Sequence, residues 1–311
     1  MREIIITAND AGQRLDRFLS KSFPSLSQGV IRSALRKNKI KLNGKRPPAD
    51  IRLEKGDVLR LYMDELIEKK KPLTCDIPRD LNIIYEDDNL LILDKPAGLP
   101  VHEDNDHSPD TLINRVLLYL GVSEADLSFR PALCNRIDRN TGGIVLAAKN
   151  AESLRIISQK LKHREITRLY LCAVHGVPTK KSATLTAELE KFPDKNIVRV
   201  SNKKTFGSKP IRTAYRVLDT RESCSLLEVN LLTGRTHQIR AHMAFIGHPL
   251  LGDGKYGRAS DIFKYQALYS YKLRFDFTSE AGILNYLNGK EFEVKDVWFL
   301  EKYYEIFSSA L

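Results

Sequence analysis

No stretch of this 311-residue chain approaches the run of about 20 apolar residues that a membrane span requires. The opening residues Met1–Thr7 turn polar too soon for a signal peptide. Cysteine is scarce and scattered. The four present, Cys75, Cys134, Cys172 and Cys224, form no CxxC pair, which excludes a disulfide framework and a zinc ribbon and suits a reducing cytoplasm, the expected location. There is no GxSxG, so a serine hydrolase has no support. No internal repeat and no low-complexity tract is present. Acidic residues are also short: 39 Asp and Glu against 50 Lys and Arg leave a net charge of +11. Such an excess implies a polyanionic partner, with nucleic acid ahead of an acidic membrane surface.

An apolar content of 42% is ample for a packed core, and the length suggests a small domain joined to a larger one. Residues 1–63 read as the small one, and its pattern is clear from residue 12 onward. Leu15, Phe18 and Leu19 recur at helical spacing, as do Val30, Ile31, Ala34 and Leu35, with Ser27 placed as an N-cap. Ile40-Lys41-Leu42 then runs into Asn43-Gly44, a hairpin-turn dipeptide, and Val58–Tyr62 reads as a closing strand. Residues 64–80, charged and interrupted by Pro72 and Pro78, read as a linker. In residues 81–311 the spacing predicts strands at 82–85, 90–94, 144–148, 168–175, 212–219 and 225–231. It predicts helices at 109–120, 151–163 and 236–246, with Ser108 and Asn150 as caps. Successive strands with a few helices between them imply an α+β domain around a mostly antiparallel sheet.

Ser27 to Arg46 holds seven basic residues and no acid. Arg32 and Arg36 share a helix face; Lys37 follows; Lys39 and Lys41 share one side of the next strand. A cationic patch on a rigid helix–strand corner suits phosphate tracking and reads no sequence by itself. A second acid-free basic stretch runs from Arg199 to Arg216, centred on a Thr205–Ser208 loop tip that could close over a bound strand or be an ordinary surface loop.

The segment Asn135-Arg136-Ile137-Asp138-Arg139-Asn140-Thr141-Gly142-Gly143 sets one carboxylate between two arginines ahead of paired glycines. Flanking guanidinium groups favour the ionised form of a carboxylate, which makes Asp138 a candidate nucleophile. A surface Arg–Asp–Arg turn fits those residues equally well. Three other segments bear on it: Leu93–His102, a strand ending in a Pro/Gly loop; Arg168–Val174, a strand with one tyrosine; and Thr233–His242, a strand-to-helix junction with two arginines.

These four ordered segments together resemble the RluA-type pseudouridine synthases, over essentially the whole region from Leu81 onward. Residues Arg14–Leu19, Ser27-Gln28, Ile31–Leu35, Ile40–Gly44 and Gly56-Asp57 resemble the alpha-L RNA-binding motif. That combination is similar to the members that modify large-subunit ribosomal RNA. The resemblance implies a pseudouridine synthase fold and isomerisation of uridine in structured RNA by a chain needing no cofactor, no metal and no nucleotide. It implies Asp138 as nucleophile, Tyr170 stacking on the base and serving in proton transfer, and Arg240 paired with the carboxylate. Arg136 would fill the gap left by a flipped-out uridine, with Arg235, His237, Gln238 and His102 as further substrate-binding positions. Ser27, Gln28, Arg32, Arg36, Lys37, Lys39 and Lys41 would meet RNA. One departure stands out: Asn135 occupies the place of a histidine in the family's His-Arg-Leu-Asp pattern.

Gly252–Gly257 satisfies GxGxxG without strand–turn–helix context, and a tight loop is the expected reading. His237 and His242, five apart, lack zinc-pair spacing. The alternatives are a non-catalytic RNA-binding assembly factor, a transfer-RNA-directed synthase, and RNA enzymes of other chemistry. A methyltransferase would need a glycine-rich cofactor loop. A nuclease would need clustered carboxylates, whereas Asp87-Asp88 and Asp104–Asp106 fall in expected turns. A monomer is the default expectation.

Overall fold

The computed structural model describes residues 1–7, 10–23, 26–63, 77–103, 108–122, 129–192, 194, 196–260 and 262–306. Most of the expected linker, residues 64–76 with Cys75, and the Asp104–Asp106 segment lie outside them.

The N-terminal unit comprises β1 (Arg2–Ile5), α1 (Leu15–Ser22), α2 (Gln28–Arg36), β2 (Ile40–Leu42) and β3 (Val58–Leu61). Its sheet runs β1-β3-β2 and is antiparallel throughout. The apolar faces of the two helices meet this sheet in one cluster that includes Leu15, Phe18, Leu19, Ile31, Ile40 and Leu59. Ser27 caps α2 by accepting from the Val30 amide at 3.3 Å. Sequence reading missed β1, whose pairing with β3 is a contact across more than fifty residues.

The larger unit is built on one sheet of eleven strands. In chain order its elements are β4 (Asn82–Glu86), β5 (Leu90–Lys95), α3 (Leu112–Tyr119), β6 (Ala132–Leu133), β7 (Gly142–Ala148), α4 (Ala151–His163), β8 (Ile166–His175), β9 (Ser182–Phe192), β10 (Ile197–Ser201), β11 (Lys209–Thr220), β12 (Cys224–Leu231), α5 (Gln238–Phe245), β13 (Leu268–Phe275), β14 (Glu291–Glu293) and α6 (Leu300–Ile306). The sheet order is β10-β9-β11-β12-β8-β13-β7-β5-β4, with β14 added beside β13 and β6 beside β7. Every pairing is antiparallel except β13 with β7.

That parallel contact explains the paired glycines, which begin β7 two residues ahead of the expected strand. A Cβ on Gly142 would lie 2.4 Å from the Tyr269 ring, and one on Gly143 only 2.2 Å from the Ser270 carbonyl oxygen. Gly143 also has φ +109°, a conformation that side chains resist. Two helix starts differ from the sequence reading. Thr111, and not Ser108, caps α3, accepting from the Asn114 amide at 3.2 Å. Helix α5 begins at Gln238 because His237 adopts a left-handed φ of 52°. Helix α4 spans the expected residues, with Asn150 accepting from the Ser153 amide at 2.8 Å.

Candidate active site

Asp138 sits in the loop between β6 and β7, and five hydrogen bonds hold that loop. The Thr141 amide donates to the Asp138 carbonyl at 3.1 Å, closing a tight turn. Gly98 N–H and the Lys95 ammonium both donate to the Arg139 carbonyl at 2.9 Å. Asn135 is buried, and its side chain accepts from the Leu146 amide at 2.8 Å while its amide group faces the Ile144 carbonyl at 3.4 Å. The asparagine thus clamps the loop to β7 from both sides.

Lys95 is wholly buried at the end of β5. Its ammonium also donates to the carbonyls of Leu99 at 2.7 Å and Pro96 at 2.9 Å, so one cation gathers the Leu93–His102 loop against the Asp138 loop. Burial pulls its pKa down to about 7, opposed by the negative charges of Asp138 and Asp94.

Arg240, on the buried first turn of α5, reaches across to this loop. Its Nη1 donates to Asp138 Oδ2 at 3.0 Å. Its Nε and Nη2 form a two-pronged pair with Asp253, both at 2.8 Å. The exposure of the three side chains is graded: Asp253 0%, Arg240 8%, Asp138 24%. Burial alone would raise the Asp253 pKa. The Arg240 hydrogen bonds and charge, with the Lys255 and Tyr256 amides, outweigh it and hold the carboxyl below its ordinary range. The guanidinium is therefore aimed from behind by a fixed anion and presents its remaining prong to Asp138. Asp138 Oδ1 takes no hydrogen bond from any described residue, so one carboxylate oxygen is held and the other is open.

His237 completes the cluster. Its Nε2 lies 3.9 Å from Asp138 Oδ2, and its Nδ1 is 2.8 Å from the Tyr256 hydroxyl. That hydroxyl also accepts from the Val198 amide at 2.9 Å, so the Tyr256 oxygen fixes the imidazole with Nε2 turned toward Asp138. Desolvation lowers the His237 pKa against the pull of Asp138. Arg240 also lies over the Tyr256 ring, 5.2 Å from its centroid.

Of the remaining expected site residues, Tyr170 on β8 is buried in the apolar cluster that also takes in Ile137 and Ile239, the neighbours of Asp138 and Arg240. Its hydroxyl has no hydrogen bond to a described residue. Arg136 and His102 are exposed, and their charges interact: desolvation and then Arg136 hold the His102 imidazole below its ordinary pKa. Arg235 is exposed. Gln238, expected at the substrate, is placed differently from these exposed residues. It is buried with both amide ends consumed, Oε1 accepting from Thr233 Oγ1 (2.9 Å) and the Arg235 amide (3.1 Å), Nε2 donating to the Arg212 carbonyl and Thr213 Oγ1 (both 3.0 Å). It fastens the β12–α5 junction to β11.

In the N-terminal unit Ser27, Gln28, Arg32, Arg36, Lys37 and Lys39 are exposed, while Lys41 is half-buried with its ammonium 5.5 Å from the Tyr62 ring centroid. No group of three or more metal-ligating side chains occurs among the described residues. Asp87 is consumed structurally, taking the Asn89 and Leu90 amides and the Tyr85 and Tyr286 hydroxyls. No helix of the described residues is long and apolar enough to cross a membrane.

Sequence reading missed Asp253 and Tyr256, both inside the Gly252–Gly257 loop. The available signal was a lone acid in a glycine-rich loop following a helix with a buried arginine.

Comparison with known proteins fits this geometry. The profile of the family described as RNA pseudouridylate synthase matches residues 89–245. The RNA pseudouridine synthase YlyB of Bacillus subtilis is 33% identical over 283 residues, covering 89% of this chain and 90% of its own. The ribosomal large subunit pseudouridine synthase C of Vibrio cholerae is 34% identical over 276 residues, covering 85% and 83%. The fold is shared with human RNA pseudouridylate synthase domain containing 4, with a TM-score of 0.57 at 20% identity over 72% of this chain and 91% of that one. The chain belongs to the RNA pseudouridylate synthase family. It is an RNA-modifying isomerase.

Proposed function

We propose that the protein converts uridine to pseudouridine in large-subunit ribosomal RNA, with Asp138 as the nucleophile. The observation that carries this reading is the asymmetry of the Asp138 carboxylate, whose Oδ2 is held by Arg240 while Oδ1 is open. Oδ1 attacks either the pyrimidine ring or the ribose. The bond from ribose to N1 breaks and one from ribose to carbon five forms; the carbon-five proton leaves to solvent and N1 gains one. The atoms balance without a co-reactant. Arg240 keeps the carboxylate aimed, and the covalent step divides one hard bond exchange into easier ones.

Tyr170 serves as the stacking surface and proton-transfer group, and exposed Arg136 occupies the gap left by the flipped uridine. Arg235, His237 and His102 line the substrate's path. The basic face of residues 27–41 grips the RNA, the protein works as a monomer, and the three described cysteines, all unpaired, fit a reducing cytoplasm. The relatives named for the ribosomal large subunit support that RNA as the substrate.

The test is tritium release from RNA labelled at carbon five of uridine, taken from cells lacking the gene. Wild type should release tritium and Asp138→Asn should lose at least about a thousandfold in rate while binding RNA normally. Turnover by the Asn variant would remove Asp138 from its role.

A further inference from the structure

The loop joining β10 to β11 carries a side chain that the reaction described above does not use. Because β9 lies between these strands, residues 202–208 must cross its end. The crossing is a built turn. Ser208 N–H donates to the Thr205 carbonyl at 3.2 Å, and Gly207 has the positive φ, +85°, that a type II turn needs at its third position. Ser208 Oγ donates to Glu188 Oε2 at 2.6 Å and accepts from the Thr205 amide at 3.1 Å; Ser201 Oγ secures Lys203 on the other side, donating to its carbonyl at 2.7 Å. The backbone is fixed, yet Phe206 at the second position is the most exposed large apolar residue described, at 103%. A turn that needs no aromatic residue holds one out into water.

The ring is surrounded by charge of one sign. Lys203, Lys204, Lys209 and Arg199 are exposed, and no acid occurs from Arg199 to Arg216. The nearby acids, Glu188 and Glu190 of β9, face the loop's base, where they accept from the Ser208 and Thr205 hydroxyls. The two strands lead back to the site: Val198 of β10 donates to Tyr256, and the Arg212 carbonyl of β11 accepts from Gln238.

We propose that Phe206 is a base-stacking contact for the substrate RNA. An unpaired base other than the target uridine lies on its ring, while Lys203 and Lys204 take the flanking phosphates. The assignment rests on the RNA reading above. It separates two jobs: the lysines supply salt-sensitive attraction, and the ring supplies a salt-insensitive anchor.

The experiment measures binding of the full chain to in vitro-transcribed large-subunit rRNA over a series of salt concentrations. Phe206→Ala should weaken binding about tenfold with the salt slope unchanged. Lys203→Ala with Lys204→Ala should lower the slope by about two. Phe206→Trp should restore affinity. Its fluorescence, read as the difference from wild type, whose one tryptophan is Trp298, should be quenched by RNA and not by heparin, a polyanion without bases. Unchanged binding by Phe206→Ala, or equal quenching by heparin, overturns the stacking contact and leaves the isomerase reading intact if wild type still releases tritium. Failure of wild type both to bind and to isomerise this RNA overturns both. Loss confined to assembled ribosomal particles, with naked RNA bound normally, would mean that the ring meets protein and would equally overturn it.

Discussion

Two buried ion networks sit in the same domain and differ in one respect. Around α4, Lys160 donates to Glu165 at 2.7 Å and to Ser279 Oγ at 2.7 Å, while Glu165 also accepts from the Thr278 and Ser279 amides at 2.9 and 3.2 Å. Both carboxylate oxygens are engaged and the cation lies over the Phe277 ring. Around α5, Arg240 bridges two carboxylates; Asp253 is engaged at both oxygens and Asp138 at only one. Burial and charge are common to the two. What distinguishes the second is a carboxylate oxygen that no described residue bonds, held by a closed pair behind it. The first network ties the α4–β8 turn to the segment after β13; the second holds one oxygen of Asp138 in place.

The sharpest way to separate them is to break the closed pair. Lys160→Met leaves Glu165 buried without its cation and should cost about 3–5 kcal/mol in denaturant-measured stability. The rate per folded molecule should stay near wild type. A large loss of kcat in folded protein would erase the contrast.

A pH series tests it next. His242, on α5 two residues beyond Arg240, is buried, and desolvation lowers its pKa to about 4 from 6.5. Between those values the unfolded chain binds the proton and the folded one does not, so stability is full above pH 6.5 and falls as pH drops toward 4, by on the order of 3 kcal/mol. Glu165, drawn down to about 2 chiefly by Lys160, contributes fully above pH 4.5 and loses its contribution only as pH falls toward 2. Denaturation at pH 7, 5.5 and 4.5 should therefore weaken the fold through α5 first, and His242→Asn should flatten that dependence. A slope unchanged in the variant would assign the loss elsewhere.

The smallest expected effect falls on the closed half of the second network. Asp253→Asn removes the anion behind Arg240 and should lower kcat about 10- to 100-fold, with KM little changed, consistent with a charge-assisted hydrogen bond of about 1.5–3 kcal/mol. Equal effects on binding and turnover would make Asp253 a merely structural residue.

These contrasts also mark what the sequence could reveal. Helix α4 and its Asn150 cap were legible because periodicity and capping are local signals. Asp138 and Arg240 stood out through motif resemblance, but the bridge to Asp253 was not legible, because it joins a helix to a loop that the glycine pattern had marked only as tight. Strands β9, β10 and β13 were missed for other reasons. β9 alternates polar and apolar residues from Ser182 to Glu190, a signal that the reading passed over because three of its outward positions are small Ser and Thr; β10 is short, and β13 is recognised only by what it pairs with. Gln238 looked like a binding residue by its place in a motif, while its four hydrogen bonds come from segments up to 26 residues away.

The contact between β7 and β13 carries a consequence for how this protein can vary. With Gly143 pressed against the Ser270 carbonyl and Gly142 under the Tyr269 ring, no side chain of any kind fits at the exit of the Asp138 loop. Drift in sequence is therefore blocked at that exit, and it is narrow at the loop's other end as well, where Asn135 is buried and bonded to β7. A directed-evolution library aimed at new substrates belongs on the exposed residue 202–208 crossing. The glycine pair is a packing point that selection can work around and cannot edit.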